Sequence, residues 1–253
     1  MVLTEPISID GDERERIYGY VEAHGAVDAR QVRRELFPQD PHGDPQYDRA
    51  FRHNVAILKR DGYVAESEDG TLRIAVDLAD EREEFSADDV DVTIRPARQE
   101  DLTGIVGAIR RVAEEMIYIE AESVADELDH EDVLLRHNDL ESRMFFVATV
   151  DGDVVGWAHL HVPKLEKLSH TAELTVGVLE EYRGIGVGSG LLDRALEWVH
   201  ENGQEKVYQS VPSTNEEAIA FFEDRGWTTE AVREDHYKLD DEYIDEVMMA
   251  ISL

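Results

Sequence analysis

The chain has 253 residues, no cysteine, and 58 acidic against 25 basic side chains, a formal charge of −33. This excludes disulfides, thiolate metal sites and a cysteine nucleophile, and the overall charge repels nucleic acid and anionic membrane. Hydrophobic residues make up 42%, and no apolar run reaches the roughly 18 residues of a membrane span, so the chain reads as folded, soluble and cytoplasmic. Only five basic residues are lysines (59, 164, 167, 206 and 238). In molar salt, charge repulsion is screened over about 3 Å. Dense carboxylates keep such a surface hydrated, so the composition predicts a salt-adapted, halophilic protein.

The first predicted helix covers 13–24 and turns Ile17, Tyr20 and Val21 inward. His24-Gly25 closes it, and Asp28 caps a second helix over Ala29–Phe37. A loop with Pro38, Pro41 and Pro45 leads to a third helix, Tyr47–Asp61, with Phe51, Val55 and Leu58 on one face. Tyr63–Glu66 and Leu72–Val76, joined through Asp69-Gly70, make a small hairpin. Three helices and a hairpin over 1–78 resemble a winged helix-turn-helix domain. Over 47–60 its third helix carries Arg49, Arg52, Lys59 and Arg60 against Asp48 alone. A local basic face is what a groove-reading helix needs, so DNA contact through this domain is one reading. The other is that these charges pair with acids elsewhere in the chain and the domain docks protein or dimerises. Residues 79–90 are dominated by charge and lack periodicity, which reads as an acidic linker.

Beyond the linker the patterns predict a strand at 91–97 and helices at 99–117 and 121–136. Strands 143–150 and 153–162 follow, turned at Asp151-Gly152. Then come strand 170–179, helix 187–202, strand 205–211, helix 214–225, and closing strands 227–239 and 242–253. The expected class is α/β, a mixed and mainly antiparallel sheet flanked by helices, forming a second domain over 91–253.

Residues 171–192, TAELTVGVLEEYRGIGVGSGLL, carry the most information. Leu174, Val176 and Val178 alternate with Glu173, Thr175 and Gly177, which is strand period. Gly184, Gly186, Gly188 and Gly190 then lead into an apolar helix. A helix start offers unpaired N–H groups and the positive dipole end, and glycines let a pyrophosphate approach the backbone. A P-loop would need Gly-Lys-Ser/Thr here, and a dinucleotide fold would need Gly-x-Gly-x-x-Gly with an acid closing the next strand. Neither is present.

Arg183-Gly184-Ile185-Gly186-Val187-Gly188 does match Arg/Gln-x-x-Gly-x-Gly/Ala. That pattern resembles the acyl-CoA pyrophosphate signature of the GNAT family of N-acetyltransferases. Val92–Arg98 with Glu100-Asp101 resembles the family's first strand and helix start. Asn215, Ala218, Phe221, Phe222, Gly226 and Trp227 resemble its Asn-x-x-Ala…aromatic…Gly-Phe/Trp segment, and Glu242–Leu253 its last strand. The resemblance implies acetyl-CoA as cofactor and a GNAT fold over 91–253. It places the pantetheine arm against Val176, Gly177 and Val178, with an oxyanion donor near Val176. It places the pyrophosphate on Arg183, Gly184, Ile185, Gly186, Val187, Gly188, Ser189 and Gly190, and Asn215 and Phe222 beside the cofactor.

The reaction is then transfer of an acetyl group to a primary amine: a small amine, an amino acid or a protein amine. Glu173 is the candidate general base, because burial of a mid-strand carboxylate raises its pKa to a useful range. His170 and His161 lie near the same strand ends as candidate proton relays. Relatives place a tyrosine seven residues after the motif asparagine to protonate the leaving thiolate, where this chain has Phe222. Phenylalanine donates no proton, so Tyr237, Tyr243, water or departure as thiolate remains. Glu114, Glu115, Tyr118 and Glu120 form a cluster suited to a cationic amine, with His161 beside the acceptor. The alternative function is an acetyl-CoA-sensing DNA-binding regulator. A homodimer is compatible with either, and nothing indicates a metal.

Overall fold

A computed structural model describes residues 9–37, 45–67, 69–75, 82–114, 118–138, 140–239 and 241–253. In the amino-terminal unit, α1 (Asp12–His24), α2 (Ala29–Leu36) and α3 (Pro45–Arg60) pack on a three-stranded sheet. Its strands are β1 (Val27–Asp28), β2 (Val64–Glu66) and β3 (Thr71–Ile74), in the order β1-β3-β2. Asp28 caps α2, its carboxylate accepting from the Arg30 N–H at 2.6 Å. Ile17, Val21, Val32, Phe51, Val55, Leu58 and Leu72 share one core.

α1 differs from its expected facing. Tyr20 is half-buried, while Tyr18 and Glu22 are buried on a second face. That face meets the rest of the molecule. Tyr18 Oη donates to the His137 carbonyl at 2.8 Å, and Glu22 accepts from Asn138 Nδ2 at 3.0 Å and lies 3.5 Å from the Arg136 guanidinium. The expected basic face of α3 is also largely neutralised within its own unit. Arg52 pairs with Asp48 at 2.6 Å, Lys59 with Glu66 at 2.5 Å and Arg60 with Asp61 at 2.6 Å.

Residues 79–81 of the expected linker lie outside the described residues. The remainder departs from that expectation: β4 (Glu83–Ala87) pairs antiparallel with β5 (Val90–Pro96). One inward side chain, Phe85, anchors this edge strand to the core while its carboxylates face solvent. Asp88 and Asp89 take the left-handed turn at φ 50° and 63°. A short 3₁₀ turn at Gln99–Asp101 precedes α4 (Leu102–Ala113). α5 (Ile119–Glu131) ends earlier than expected, at Asp132 with φ 55°. Arg136–His137 then form β6 beside β7 (Glu141–Val150).

The remaining elements are β8 (Asp153–Pro163), β9 (Thr171–Val178), α6 (Val187–Glu201), β10 (Lys206–Pro212), α7 (Glu216–Glu223), β11 (Thr228–Leu239) and β12 (Glu242–Ser252). The sheet runs β11-β12-β10-β9-β8-β7-β5-β4. β7 is buried almost throughout, because both faces are covered. Arg143 reaches Glu127 and Glu131 of α5, while Phe146 meets Arg194 of α6 at 5.5 Å. Among the described residues only β9 and β10 pair in parallel, from Thr171–Lys206 to Glu173–Tyr208. Past that point they part.

Candidate active site

A cavity of about 420 Å³ opens where β9 and β10 separate. Val176, Gly177 and Val178 form its β9 wall. The other edge of β9 is paired with β8 from Glu173 to Val178, so its peptide groups on the β10 side are left for an extended ligand to pair as an added strand. Gly177 has a second duty. A Cβ there would stand 2.2 Å from the Trp157 ring. Gly177→Ala is therefore expected to shift β9 or the indole and cost about 1–3 kcal/mol. Urea denaturation checks this, and an unchanged midpoint would remove the clash.

Arg183, Gly184, Gly186, Gly188 and Ser189 line the far end of the cavity. Gly184 and Gly186 have φ of +75° and +97°, a region that glycine enters without strain. α6 starts at Val187, so the N–H groups of its first turn lack intrahelical partners, as binding of an anion requires. Ile185 and Val187, expected at the cofactor, are not in the cavity lining, and their side chains pack into the core. Gly190 departs from the expected phosphate role. Its N–H already bonds the Gly186 carbonyl at 3.0 Å, and a Cβ on it would stand 2.5 Å from Ile94 Cδ1. It is a helix-packing glycine.

Arg183 Nε donates to the Val178 carbonyl at 2.9 Å, and its guanidinium lies 5.7 Å from the Tyr118 ring. A second guanidinium, Arg225, also lines the cavity, stacks on Phe221 at 3.8 Å and donates to Ser189 Oγ. The pattern around Gly226-Trp227 gave no reason to single it out, because only the tertiary fold brings α7 to the start of α6. Asn215 caps α7, accepting from the Ala218 N–H at 3.1 Å, and lines the cavity. Phe222 is buried at the cavity wall, edge-on to Trp227 at 5.0 Å. Two positively charged side chains, open helix N–H groups and a free strand edge suit a pyrophosphate with an extended amide arm.

The acid–base candidates scatter more than expected. Glu173 is half-buried on the same β9 face as Thr175, which lines the cavity. Burial raises its pKa, His161 lowers it, and Glu120 and Glu246 raise it further. His161 stands opposite Glu173 and is held 3.3 Å from Glu141; it does not line the cavity. His170 is exposed before the start of β9, at the end away from the cavity, where its carbonyl accepts from Glu205 and Lys206. It is not brought to the site. Tyr237 also lies outside the lining. Its hydroxyl donates to Glu120 at 3.0 Å, and burial followed by Glu120 pushes its pKa well above the ordinary value of 10. That makes it an orienting group for Glu120 and a poor proton donor. Tyr118 and Glu120 do line the cavity, while Glu115 lies outside the described residues.

Residues 111–227 match the model of the acetyltransferase (GNAT) family. An N-alpha-acetyltransferase from Sulfurisphaera tokodaii is 35% identical over 120 residues, which cover 43% of this chain and 69% of that protein. The chain belongs to the GNAT acetyltransferase family. It is therefore an acyltransferase, and GNAT acetyltransferases use acetyl-CoA. Among solved structures, a GNAT acetyltransferase from Streptococcus pneumoniae shares its fold, with a TM-score of 0.53 and 20% identity. That likeness covers 64% of this chain and 99% of the other. An acetyltransferase from Salmonella typhimurium, solved with its cofactor acetyl-CoA, has a TM-score of 0.52 and 20% identity. It covers 64% of this chain and 94% of its own. The matched residues run from the last turn of α4 to just before β11, and the amino-terminal unit lies outside them.

Proposed function

We propose that this GNAT protein is an Nα-acetyltransferase, moving the acetyl group of acetyl-CoA to the free α-amine of a protein or peptide. The observation that carries this reading is the 35% identity over 120 residues to a relative named N-alpha-acetyltransferase. The cavity chemistry agrees with it. Glu120 and Tyr118 offer a carboxylate and a ring face to an ammonium at the lining. Thr175 shares that lining and stands two residues, about 7 Å, along β9 from Glu173. Glu173 then takes the ammonium proton through a bridging water. The thiolate leaves unprotonated, which its pKa near 8.5 permits. Arg183, Arg225 and the start of α6 hold the pyrophosphate, and β9 holds the arm.

The amino-terminal unit fits a winged helix-turn-helix-like domain, in the order α1-β1-α2-α3-β2-β3. With three of the four basic side chains of α3 paired to acids of the same unit, protein docking suits it better than groove reading. The carboxylate surplus fits a cytoplasm of molar salt. The melting temperature is expected to climb as KCl is raised into the molar range; a midpoint indifferent to salt removes that adaptation.

The deciding experiment supplies labelled acetyl-CoA in molar KCl with paired peptides, one with a free α-amine and one blocked there but carrying lysine. Label on the α-amine alone, lost in a Gly186/Gly188 double variant, is the expected result. Transfer only to lysine or to small amines overturns the α-amine assignment.

A further inference from the structure

Gln209 has no part in the roles described above. It follows Tyr208, the last β10 residue paired with β9, so it stands where the two strands begin to part. It lines the cavity and is 5% exposed. Its Nε2 is buried with no hydrogen-bond partner among the described residues. Leaving an amide donor unsatisfied is costly, and leucine or methionine would fill much the same volume without that cost. Its β10 neighbours of like facing, Val207 and Val211, are buried and apolar, and an apolar surround strengthens whatever bond the amide makes.

Its place along the cavity selects the partner. The phosphate end lies at Arg183 and the start of α6. An arm running beside Val178 and Val176 reaches the strand junction with its acyl end. The acyl end carries one strong acceptor, the thioester carbonyl oxygen; the sulfur and methyl offer nothing comparable.

We propose that Gln209 Nε2 donates a hydrogen bond to the acyl carbonyl oxygen, as a side-chain companion to the β9 backbone N–H, and is a catalytic residue. This rests on the acetyltransferase reading of the cavity. As the amine nitrogen forms its bond to the carbonyl carbon, negative charge grows on that oxygen. The carbon–sulfur bond then breaks and the sulfur leaves with the electron pair; Glu173 holds the proton taken from the ammonium before attack, and the second nitrogen proton passes to solvent water. A donor already aimed at the oxygen in a dry site is worth most at that moment.

The test uses the full chain in molar KCl with two variants, Gln209→Leu and Gln209→Met, so that one folding failure does not end it. Equilibrium affinities for acetyl-CoA and for CoA, the carbonyl stretch of ¹³C-labelled bound acetyl-CoA, and kcat are measured. The expected result is a kcat loss of about 10²-fold or more, several-fold weaker acetyl-CoA binding, unchanged CoA binding, and a carbonyl stretch moved to higher wavenumber. Equal weakening of CoA and acetyl-CoA would place the bond on the pantetheine arm and overturn the proposal, as would an unmoved stretch with full kcat. Wild type that binds neither ligand overturns the cavity reading, and this proposal with it.

Discussion

Glu173→Gln is expected to lower kcat/KM by about 10²–10⁴-fold, the range for loss of a positioned general base, with acetyl-CoA affinity unchanged. Its carboxyl sits half-buried between His161 on one flanking strand and Tyr208 on the other, near Glu120 and Glu246. Burial first, then those two acids, hold its pKa above the ordinary 4.5, with His161 opposing them. The acid limb of kcat/KM should therefore lie above the usual carboxylate range in wild type and vanish in the variant. The stability sign is the reverse of the common acidic case. A raised folded pKa means the group's contribution is present below 4.5 and lost as pH rises through the folded value. Above that value wild type carries a buried carboxylate that glutamine lacks. Glu173→Gln should thus melt higher at pH 8 and show no such gain at pH 4. Full activity with an unshifted acid limb would remove Glu173 as the base.

Acidification from pH 6.5 to 5 is expected to destabilise the fold by several kcal/mol before ordinary carboxylates titrate. Burial pushes His137 and His159 down to about 3, from an ordinary value of 6.5. His137 Nδ1 meets Ser142 Oγ at 2.6 Å beside the α1 contact, and His159 stacks on Phe145 at 4.5 Å behind Thr175. Nε2 of each is buried without a partner among the described residues, so a protonated ring would bury an uncompensated charge. The unfolded chain takes up these protons below 6.5 and the folded chain does not until about 3. Stability is therefore fully present above 6.5 and falls with pH, by about 1.4 kcal/mol per pH unit for each histidine. Integrated over that window, in which the unfolded rings go from half to almost fully protonated, two histidines remove about 3 kcal/mol, a large share of the 5–15 kcal/mol typical of a domain. Protonation of Glu173 opposes this loss in part. Denaturant midpoints at both pH values check it. His159→Leu should lower the pH slope by about one proton, and a slope equal to wild type would show that His159 titrates normally when folded.

How much of this was legible depends on the reach of each interaction. The strand, glycine turn and helix at 171–201 were plain in the sequence, because alternation, positive-φ glycines and an apolar helical stripe act over a few residues. So were the Asp28 cap and the class of the sheet. β4 was masked by its carboxylates, since a single inward Phe85 gives no period. Tyr18 and Glu22 looked like ordinary surface positions of α1, because their partners at 136–138 are more than 110 residues away. Gly190 has the sequence context of a phosphate glycine, and only the fold sets Ile94 against it.

Sequence by itself determined the family, the acetyl-CoA signature and the elements that carry it, all of which are written in local patterns. Tertiary structure alone decided which groups share the cavity. It brought in Arg225 and Gln209, left His170 at the far end of β9, and turned Tyr237 onto Glu120. Those outcomes depend on where β9 and β10 part and on which distant side chains burial leaves paired, and no short-range pattern encodes either.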